Sequence, residues 1–304
     1  MSPSVAVLLS TFDGGPWLAA QLDSLAEQVG VDVDVLARDD GSRDDTREIL
    51  ARYADRWPRL AGTTAGPNLG PAMSFLTLLE AAPDGFDGYA FCDQDDVWPP
   101  QKLARACRAL AGVGGPALYC SQVMCVDADL RPLGPAPIKD DPRFEHLLFE
   151  NIAFGVTLVM NAAAARLVRS RPPQQGVIMH DWWCALVVSA FGEVIYDPEP
   201  GVLYRQHGGN EVGQGVSRIG ELARQARRLR RDPGRFWPAH AQAREFLRLW
   251  GEDLAPPQRA LVQAFVASKR SLGARLAYAA TGPILRERFA DAVIARALVA
   301  AGLY

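Results

Sequence analysis

The sequence predicts an α/β fold whose first strands form a parallel sheet, with a helical extension after it. Three observations predict it. Strand-like apolar runs alternate with segments of helical period from Val5 onward, the order of a sheet wound with right-handed crossovers. The early runs end in small and acidic residues, as strands do at the carboxyl edge where open α/β sheets bind ligands. Past Gly215 the composition shifts to an arginine-rich helical pattern, so residues 1–215 are expected to form the principal domain and 216–304 a helical C-terminal extension.

Val5-Ala6-Val7-Leu8-Leu9 is continuously apolar, the pattern of a strand covered on both faces, and Ser10 to Gly15 breaks it. Leu18, Leu22 and Leu25 follow at helical spacing. Val31 to Leu36 reads as the second strand and ends at Arg38-Asp39-Asp40-Gly41-Ser42. Asp45-Thr46-Arg47-Glu48 has the form of a capping box, with Ile49, Leu50 and Tyr53 as the apolar face of the helix behind it. A Gly- and Thr-rich loop leads to Asn68-Leu69-Gly70-Pro71, where Gly70 caps and Pro71 opens a helix over 72–81. Tyr89 to Cys92 is a buried strand and delivers Asp93-Gln94-Asp95-Asp96-Val97-Trp98, three carboxylates within four positions. Pro99-Pro100 opens a helix from Gln101 to Leu110, and Ala117 to Ser121 is the next strand. Arg131 to Pro142 reads as a long irregular loop. Asn151 to Asn161 is expected as a strand, Ala162 to Arg169 as a helix, and His180 to Phe191 as a helix closed by Gly192 at the C′ position. Val194 to Tyr196 and Val202 to Tyr204 are short strands that lead into Tyr204-Arg205-Gln206-His207-Gly208-Gly209-Asn210.

Composition excludes several classes. The net charge of −3 and pI of about 5.9 give no reason to expect a nucleic-acid partner. Five scattered cysteines without a CxxC motif suit a reducing compartment and core packing rather than disulfides or a zinc site. No signal peptide is visible, and the apolar runs are shorter than the ~18 residues of a membrane span. The expected location is therefore cytoplasmic.

The acids after the third strand-like run repel one another unless a cation is held there. Magnesium or manganese prefers carboxylate and phosphate oxygens, so Asp93 and Asp95 are expected to hold one together with a nucleotide sugar, while Asp96 either joins them or caps the next helix. Asp39 and Asp40 have carboxylates suited to ribose hydroxyls or a pyrimidine N–H, or belong to an ordinary turn. Asn68 and Gly70 suit either a nucleotide contact or a plain helix start. Asp181 is a good helix N-cap by position alone.

Leu9-Ser10-Thr11-Phe12-Asp13, Asp39-Asp40-Gly41-Ser42 with Asp45-Thr46, Asn68-Leu69-Gly70 and Asp93-Gln94-Asp95-Asp96-Val97-Trp98, in this order, resemble family 2 glycosyltransferases of the GT-A fold over roughly residues 5 to 212. His180-Asp181-Trp182-Trp183 and the later Tyr204-to-Asn210 stretch look most like bacterial rhamnosyltransferases of cell-surface polysaccharide assembly. The resemblance implies a mixed, Rossmann-like sheet flanked by helices and an inverting transfer from a nucleotide diphosphate sugar, dTDP-rhamnose being the donor it suggests. It implies Mg2+ or Mn2+ and a saccharide or lipid-linked acceptor. Carried over residue by residue, Ser10, Thr11, Asp13, Asp40, Asn68 and Gly70 face the nucleoside. Asp93 and Asp95 match the acid-any-acid motif, with Asp95 the metal ligand. Asp181 is the general base, Arg205 and His207 face the diphosphate or metal, and Trp182 and Trp183 are candidates for stacking on the acceptor. Asp13 departs from the asparagine common at its position.

The stretch from Arg218 to Arg248 carries nine arginines against three acids, and Arg224, Arg227, Arg228 and Arg231 share one helical face. Such a face is either simply solvated or docks on anionic lipid, where each basic residue contributes ~1 kcal/mol. Two other functions fit part of the sequence: a sugar nucleotidyltransferase, which would want a basic residue in the glycine-rich turn after the first strand, and a non-catalytic nucleotide-sugar-binding scaffold.

Overall fold

The computed structural model of the chain describes residues 2–137, 142–207, 239–282 and 289–302. A seven-stranded mixed sheet runs through its centre in the order β3-β2-β1-β4-β8-β5-β9. Its strands are β1 (Ser4–Thr11), β2 (Asp32–Asp39), β3 (Leu60–Ala65), β4 (Gly88–Cys92), β5 (Ala117–Ser121), β8 (Val159–Asn161) and β9 (Glu193–Asp197). The first four strands are parallel. β8 runs antiparallel between β4 and β5, and β9 is parallel to β5. A small second sheet joins β10 (Leu203–Arg205), β6 (Met124–Val126) and β7 (Pro132–Pro135), and an isolated bridge from Leu203 to Val97 ties it to the segment after β4.

Register places the acidic segments side by side. Thr11 at the end of β1 lies opposite Asp39 of β2, and Leu9 lies opposite Cys92 of β4. The chain winds outward from β1 to β2 and β3 on one side and reaches β4 on the other, so the crevice between β1 and β4 is a topological switch point.

Helices cover both faces of the large sheet. α1 (Gly15–Ala26), α2 (Thr46–Arg56) and α4 (Lys102–Leu110) bury Leu18, Leu22, Leu50 and Leu103 against Val5, Val7 and Leu9 of β1. The other face buries Leu8 and Phe91 under α3 (Pro71–Ala81), α5 (Phe144–Leu147), α6 (Ala162–Ser170) and α7 (His180–Phe191). The middle of β1 therefore has to be apolar on both faces, which the uninterrupted run Val5–Leu9 supplies. The C-terminal helices are α8 (Ala239–Trp250), α9 (Pro256–Ser268), α10 (Leu272–Thr281) and α11 (Phe289–Ala301). They extend the second core: Phe246 of α8 meets Trp183 edge-on at 6.2 Å, and Phe265 of α9 meets Phe149 at 6.0 Å. All five cysteines are free thiols.

Several local expectations are corrected. The Gly- and Thr-rich segment before Pro67 is an edge strand, β3, whose exposed positions need no apolar run. Within 131–142, Pro132–Pro135 pairs with β6 instead of remaining irregular. Only Val159–Asn161 of the expected 151–161 strand pairs in the sheet, and Gly155–Thr157 forms a 3-10 turn that buries Val156 and Thr157. Asp45 occupies the N-cap of α2 without a side-chain cap bond. Its neighbour Asp44 accepts from the Thr46 amide at 3.1 Å and the Gly15 amide at 2.9 Å, binding α2 to α1 rather than closing a capping box. Gly192 is extended, with φ −159°, and not a left-handed C′ residue. A side chain is excluded there because a Cβ would lie 2.0 Å from the Pro116 carbonyl oxygen. The arginine-rich face built on Arg224 to Arg231, and Gly208 to Asn210, lie outside the described residues.

Candidate active site

The segment after β4 is held from both sides. Gln94, the middle residue of the acid motif, pairs with the backbone of Phe12: its Oε1 accepts from the Phe12 amide and its Nε2 donates to the Phe12 carbonyl, both at 2.8 Å. The ends of β1 and β4 are thereby clamped across the switch point. From the other side, the Arg205 amide donates to Asp96 Oδ1 at 2.9 Å, and Arg205 Nε donates to the Asp95 carbonyl at 2.8 Å. Arg205 Nη1 also donates to the Ala128 carbonyl. Arg205 thus braces the acid loop with its backbone and guanidinium together.

His207 Nε2 lies 2.9 Å from Asp95 Oδ2. Its ring stacks on Trp17 of α1 with centroids 5.2 Å apart and planes 22° apart, and the Arg205 guanidinium sits 4.7 Å over the same indole. Trp17 was not among the residues singled out by sequence. It lies one helical turn from Phe12-Asp13, and an aromatic inside a helix that follows a glycine pair was the one available signal. Asp93 and Asp95 are partly accessible in this loop, whereas Asp96 is fully buried. Burial, then repulsion from Asp95 and Asp93, raises the Asp96 carboxyl well above the ordinary carboxylate range.

The Asp39–Asp40 pair is engaged within the protein. Asp39 is fully buried and accepts from the Ser42 hydroxyl, from the Ser42 amide at 3.1 Å and from Arg47 Nε at 2.6 Å. Burial alone would raise it, but the Ser42 and Arg47 bonds outweigh that and hold it below its ordinary value. Asp40 pairs with Arg38 and accepts from the amides of Leu69 (2.9 Å) and Gly70 (2.9 Å), so it fixes the Asn68-Leu69-Gly70 turn against β2. Arg38 Nη1 also donates to Ser74 Oγ at 3.0 Å, and Ser74 meets Ser10 Oγ at 2.7 Å. Asn68 Oδ1 accepts from the Gly70 amide at 3.0 Å. Asp13 has φ +47° and accepts from the Arg43 amide at 2.7 Å, while Thr11 Oγ1 donates to Asp39 Oδ1 at 3.3 Å. Ser10, Thr11, Asp13, Asp40 and Asn68 therefore stand at the sheet edge with side-chain polar atoms already engaged by other groups of the protein, and Asp40 and Asn68 both hold the Gly70 amide.

Asp181 belongs to the first turn of α7, whose N-cap is Met179, so it is not the cap residue. It is 5% exposed and accepts from the Trp182 amide at 2.6 Å. Burial raises its carboxyl to about 6, against hydrogen bonds from Trp182, the Asn151 side chain and the Gly155 amide that favour the anion. His180 beside it is buried against Phe75 (4.1 Å) and Phe91 (4.6 Å), and burial lowers it to about 3, leaving a neutral ring. A Cβ at Gly155 would fall 2.8 Å from His180 Nε2 and 3.4 Å from Asp181 Oδ2, so the absence of a side chain at 155 lets the chain approach both. Trp182 and Trp183 do not present a ring to a ligand. Trp183 is fully buried against Phe246, and Trp182 is 6% exposed with Nε1 donating to the Leu147 carbonyl at 2.5 Å. They build the core beneath the C-terminal helices, which corrects the expected acceptor contact.

Among the described residues no three His, Cys, Asp or Glu side chains converge as a closed metal site. The Asp95–His207 pair nevertheless fits a hard or borderline divalent cation. It offers one carboxylate oxygen and one imidazole nitrogen, Asp93 lies in the same loop, and positions remain for phosphate oxygens.

An acid-lined crevice at the switch point of a mixed sheet is where open α/β folds bind their ligands, and a buried carboxylate of raised pKa stands on a following helix. The profile of Glycosyl transferase family 2 matches residues 6–157, and the chain belongs to that family of glycosyltransferases. It is 26% identical over 218 residues to the dTDP-rhamnosyl transferase RfbG of Shigella flexneri, covering 69% of this chain and 75% of that one. Among solved structures, TarS 1-349 of S. aureus in complex with UDP-GlcNAc superposes with a TM-score of 0.62 at 15% identity, covering 99% of this chain and 88% of that one. The mannosyltransferase PcManGT of Pyrobaculum calidifontis, in complex with GDP-Man and Mn2+, superposes with a TM-score of 0.54 at 19% identity, over 99% and 87%. The fold is GT-A, and the donors of such enzymes are nucleotide sugars.

Proposed function

We propose that the protein is an inverting, divalent-metal-dependent rhamnosyltransferase that moves rhamnose from dTDP-rhamnose to a saccharide or lipid-linked acceptor in surface polysaccharide synthesis. The mechanism rests above all on Asp181, a buried carboxylate held near the protonation midpoint a general base needs at neutral pH. Asp181 takes the proton of the acceptor hydroxyl as that oxygen bonds to the anomeric carbon. The bond from the anomeric carbon to the diphosphate breaks in the same displacement, its electron pair leaving with the diphosphate. Configuration inverts and no covalent enzyme intermediate forms.

Asp95, Asp93 and His207 would hold the cation, which supplies Lewis-acid neutralisation of the departing diphosphate. Gln94 and Arg205 keep those ligands in place through the backbone. Asp40 orders the Asn68-Leu69-Gly70 turn that flanks the nucleoside, and Ser10, Thr11 and Asp13 line the opposite wall. The rhamnose assignment draws on the likeness to RfbG. The arginine-rich stretch of 218–248 is proposed to draw the enzyme to an anionic bilayer carrying its acceptor. Among the described residues no helix is long and apolar enough to cross a membrane.

The test is thermal-shift screening against dTDP-rhamnose, UDP-GlcNAc and GDP-mannose with and without Mn2+, followed by donor turnover. A stabilisation by dTDP-rhamnose that requires metal and disappears in Asp95→Ala is expected. Equal stabilisation of wild type and Asp95→Ala refutes the metal assignment, and preference for another donor refutes rhamnose.

A further inference from the structure

The paired helices α10 and α11 carry apolar side chains that the other described residues leave uncovered. Leu272 is 58% exposed, Leu276 50% and Val293 49%. Between them Gly273, Ala277 and Ala280 of α10 and Ala297 of α11 also face outward. Leu272 and Leu276 stand one turn apart on one stripe, while Tyr278 and Ala279 of α10 and Ala295 and Val299 of α11 point inward.

Arg296 of α11 is drawn away from that face. The Arg296 guanidinium donates to the carbonyls of Ala279 and Gly282 and so closes the C-terminus of α10. α10 contains no acid, and Lys269 and Arg270 are exposed just before its first turn. The wider charge distribution is polarised as well. Residues 1–215 hold sixteen Lys and Arg against twenty-eight Asp and Glu, a net −12, whereas residues 216–304 hold sixteen against seven, a net +9.

We propose that the α10–α11 face seats in the interfacial region of an anionic lipid bilayer, with Leu272, Leu276 and Val293 entering the headgroup boundary and Lys269 and Arg270 meeting the lipid phosphates. An apolar stripe preceded by basic residues, on a helix without acids such as α10, is what an interfacial helix requires. A second copy of the chain is a poor occupant. Three partly exposed large side chains among alanines and a glycine fall far short of the ~800 Å2 per partner of a stable interface, and two such faces would bring like charges together. The inference adds to the arginine-stretch contact proposed above a separate apolar determinant, and it needs neither donor nor turnover. Vesicle binding therefore tests it apart from the transfer chemistry.

The experiment is co-sedimentation of the full chain with phosphatidylcholine vesicles with and without phosphatidylglycerol. The comparison is between wild type and the triple variant Leu272→Gln, Leu276→Gln, Val293→Gln, with the thermal midpoint as the fold control. Wild type is expected to bind the phosphatidylglycerol vesicles, and the triple variant to lose about tenfold in affinity at an unchanged midpoint. Lys269→Gln with Arg270→Gln is expected to weaken binding at low salt, and less so at high salt. Equal binding by the triple variant would assign the contact to charge elsewhere and overturn the proposal. So would failure of wild type to bind, or a wild-type dimer in light scattering that the triple variant dissolves.

Discussion

Replacing Asp181 with asparagine separates the base from the burial of its charge. The carboxyl is raised from 3.8 to about 6, chiefly by burial, so the folded state binds more protons than the unfolded state between those values. Stability is therefore highest below the unfolded pKa, falls as pH rises through the window and stays lower above it. The two-unit shift is worth about 3 kcal/mol at pH 8, of which roughly half is recovered at pH 5. Asn carries no charge and escapes this penalty at every pH. It also leaves one of three donors, Trp182 N, Asn151 or Gly155 N, without a carboxylate oxygen, at a cost of about 1–3 kcal/mol that does not vary with pH. Subtracting the two conditions removes that constant cost. Asp181→Asn should gain about 1.5 kcal/mol on wild type between pH 5 and pH 8 in urea unfolding, while losing transfer by about 10² to 10⁴-fold. In wild type, kcat/KM should fall below about pH 6 as the base is protonated. A stability difference that is the same at both pH values, or full transfer by the asparagine variant, would refute the assignment of Asp181 as a buried base.

Other consequences follow from particular contacts. Asp95→Ala should abolish metal-dependent donor binding, read as loss of the Mn2+-specific thermal shift, whereas Asp181→Asn should keep it. Trp17→Ala removes the stack on His207 and the seat of the Arg205 guanidinium, contacts worth about 1 kcal/mol each, so the Mn2+ concentration for half-maximal activity should rise about five- to thirtyfold with little change in the unliganded fold. Gly155→Ala should cost about 1–3 kcal/mol and depress kcat, because its Cβ would fall 2.8 Å from His180 Nε2; chemical denaturation and initial rates measure the two effects. Asp40→Asn should raise the donor KM more than it lowers kcat, since the Leu69 and Gly70 amides lose an ionised acceptor and the turn at Asn68 loosens. An unchanged KM would instead make that turn irrelevant to the donor.

The parts of the fold legible in the sequence were those under a single constraint. β1 and β4 are buried on both faces, so their uninterrupted apolar runs could mean little else, and the acids after them had to emerge at the carboxyl edge. β3 was not legible because an edge strand with exposed threonines has no apolar signature. The segment 151–158 misled for the opposite reason: Ile152, Ala153, Val156 and Leu158 are all buried, but irregular backbone with a 3-10 turn at Gly155–Thr157 buries them as well as a strand would. Within the site, residue types announced the chemistry and not the partners. Nothing in the local sequence says that Asp40 will be spent on two amides as well as on its neighbour Arg38, because the Leu69 and Gly70 amides arrive from a turn about thirty residues later. Adjacent tryptophans at 182 and 183 suggested a sugar platform only as long as the packing of α8 over α7 was unknown.

The three clustered acids after β4 differ in their exposure to water. Asp96 is fully buried, and burial with the repulsion of Asp95 and Asp93 raises its carboxyl well above the ordinary range, whereas Asp93 and Asp95 remain partly accessible. That division depends on the chain returning more than a hundred residues later. Arg205 closes over the loop through its amide and Nε, and His207 places Nε2 at Asp95. β10 is parallel to β6 and bridged to Val97, so Arg205 and His207 are delivered by backbone pairing rather than by side-chain contact alone. Breaking that pairing should therefore remove two functions at once. A proline at Leu203, whose amide bonds the Val97 carbonyl at 3.0 Å, would deny the bridge its donor and should cost metal affinity although no ligand is altered. Retained Mn2+ dependence in Leu203→Pro, in a protein that still folds by circular dichroism, would show that Asp93 and Asp95 suffice without the second half of the site.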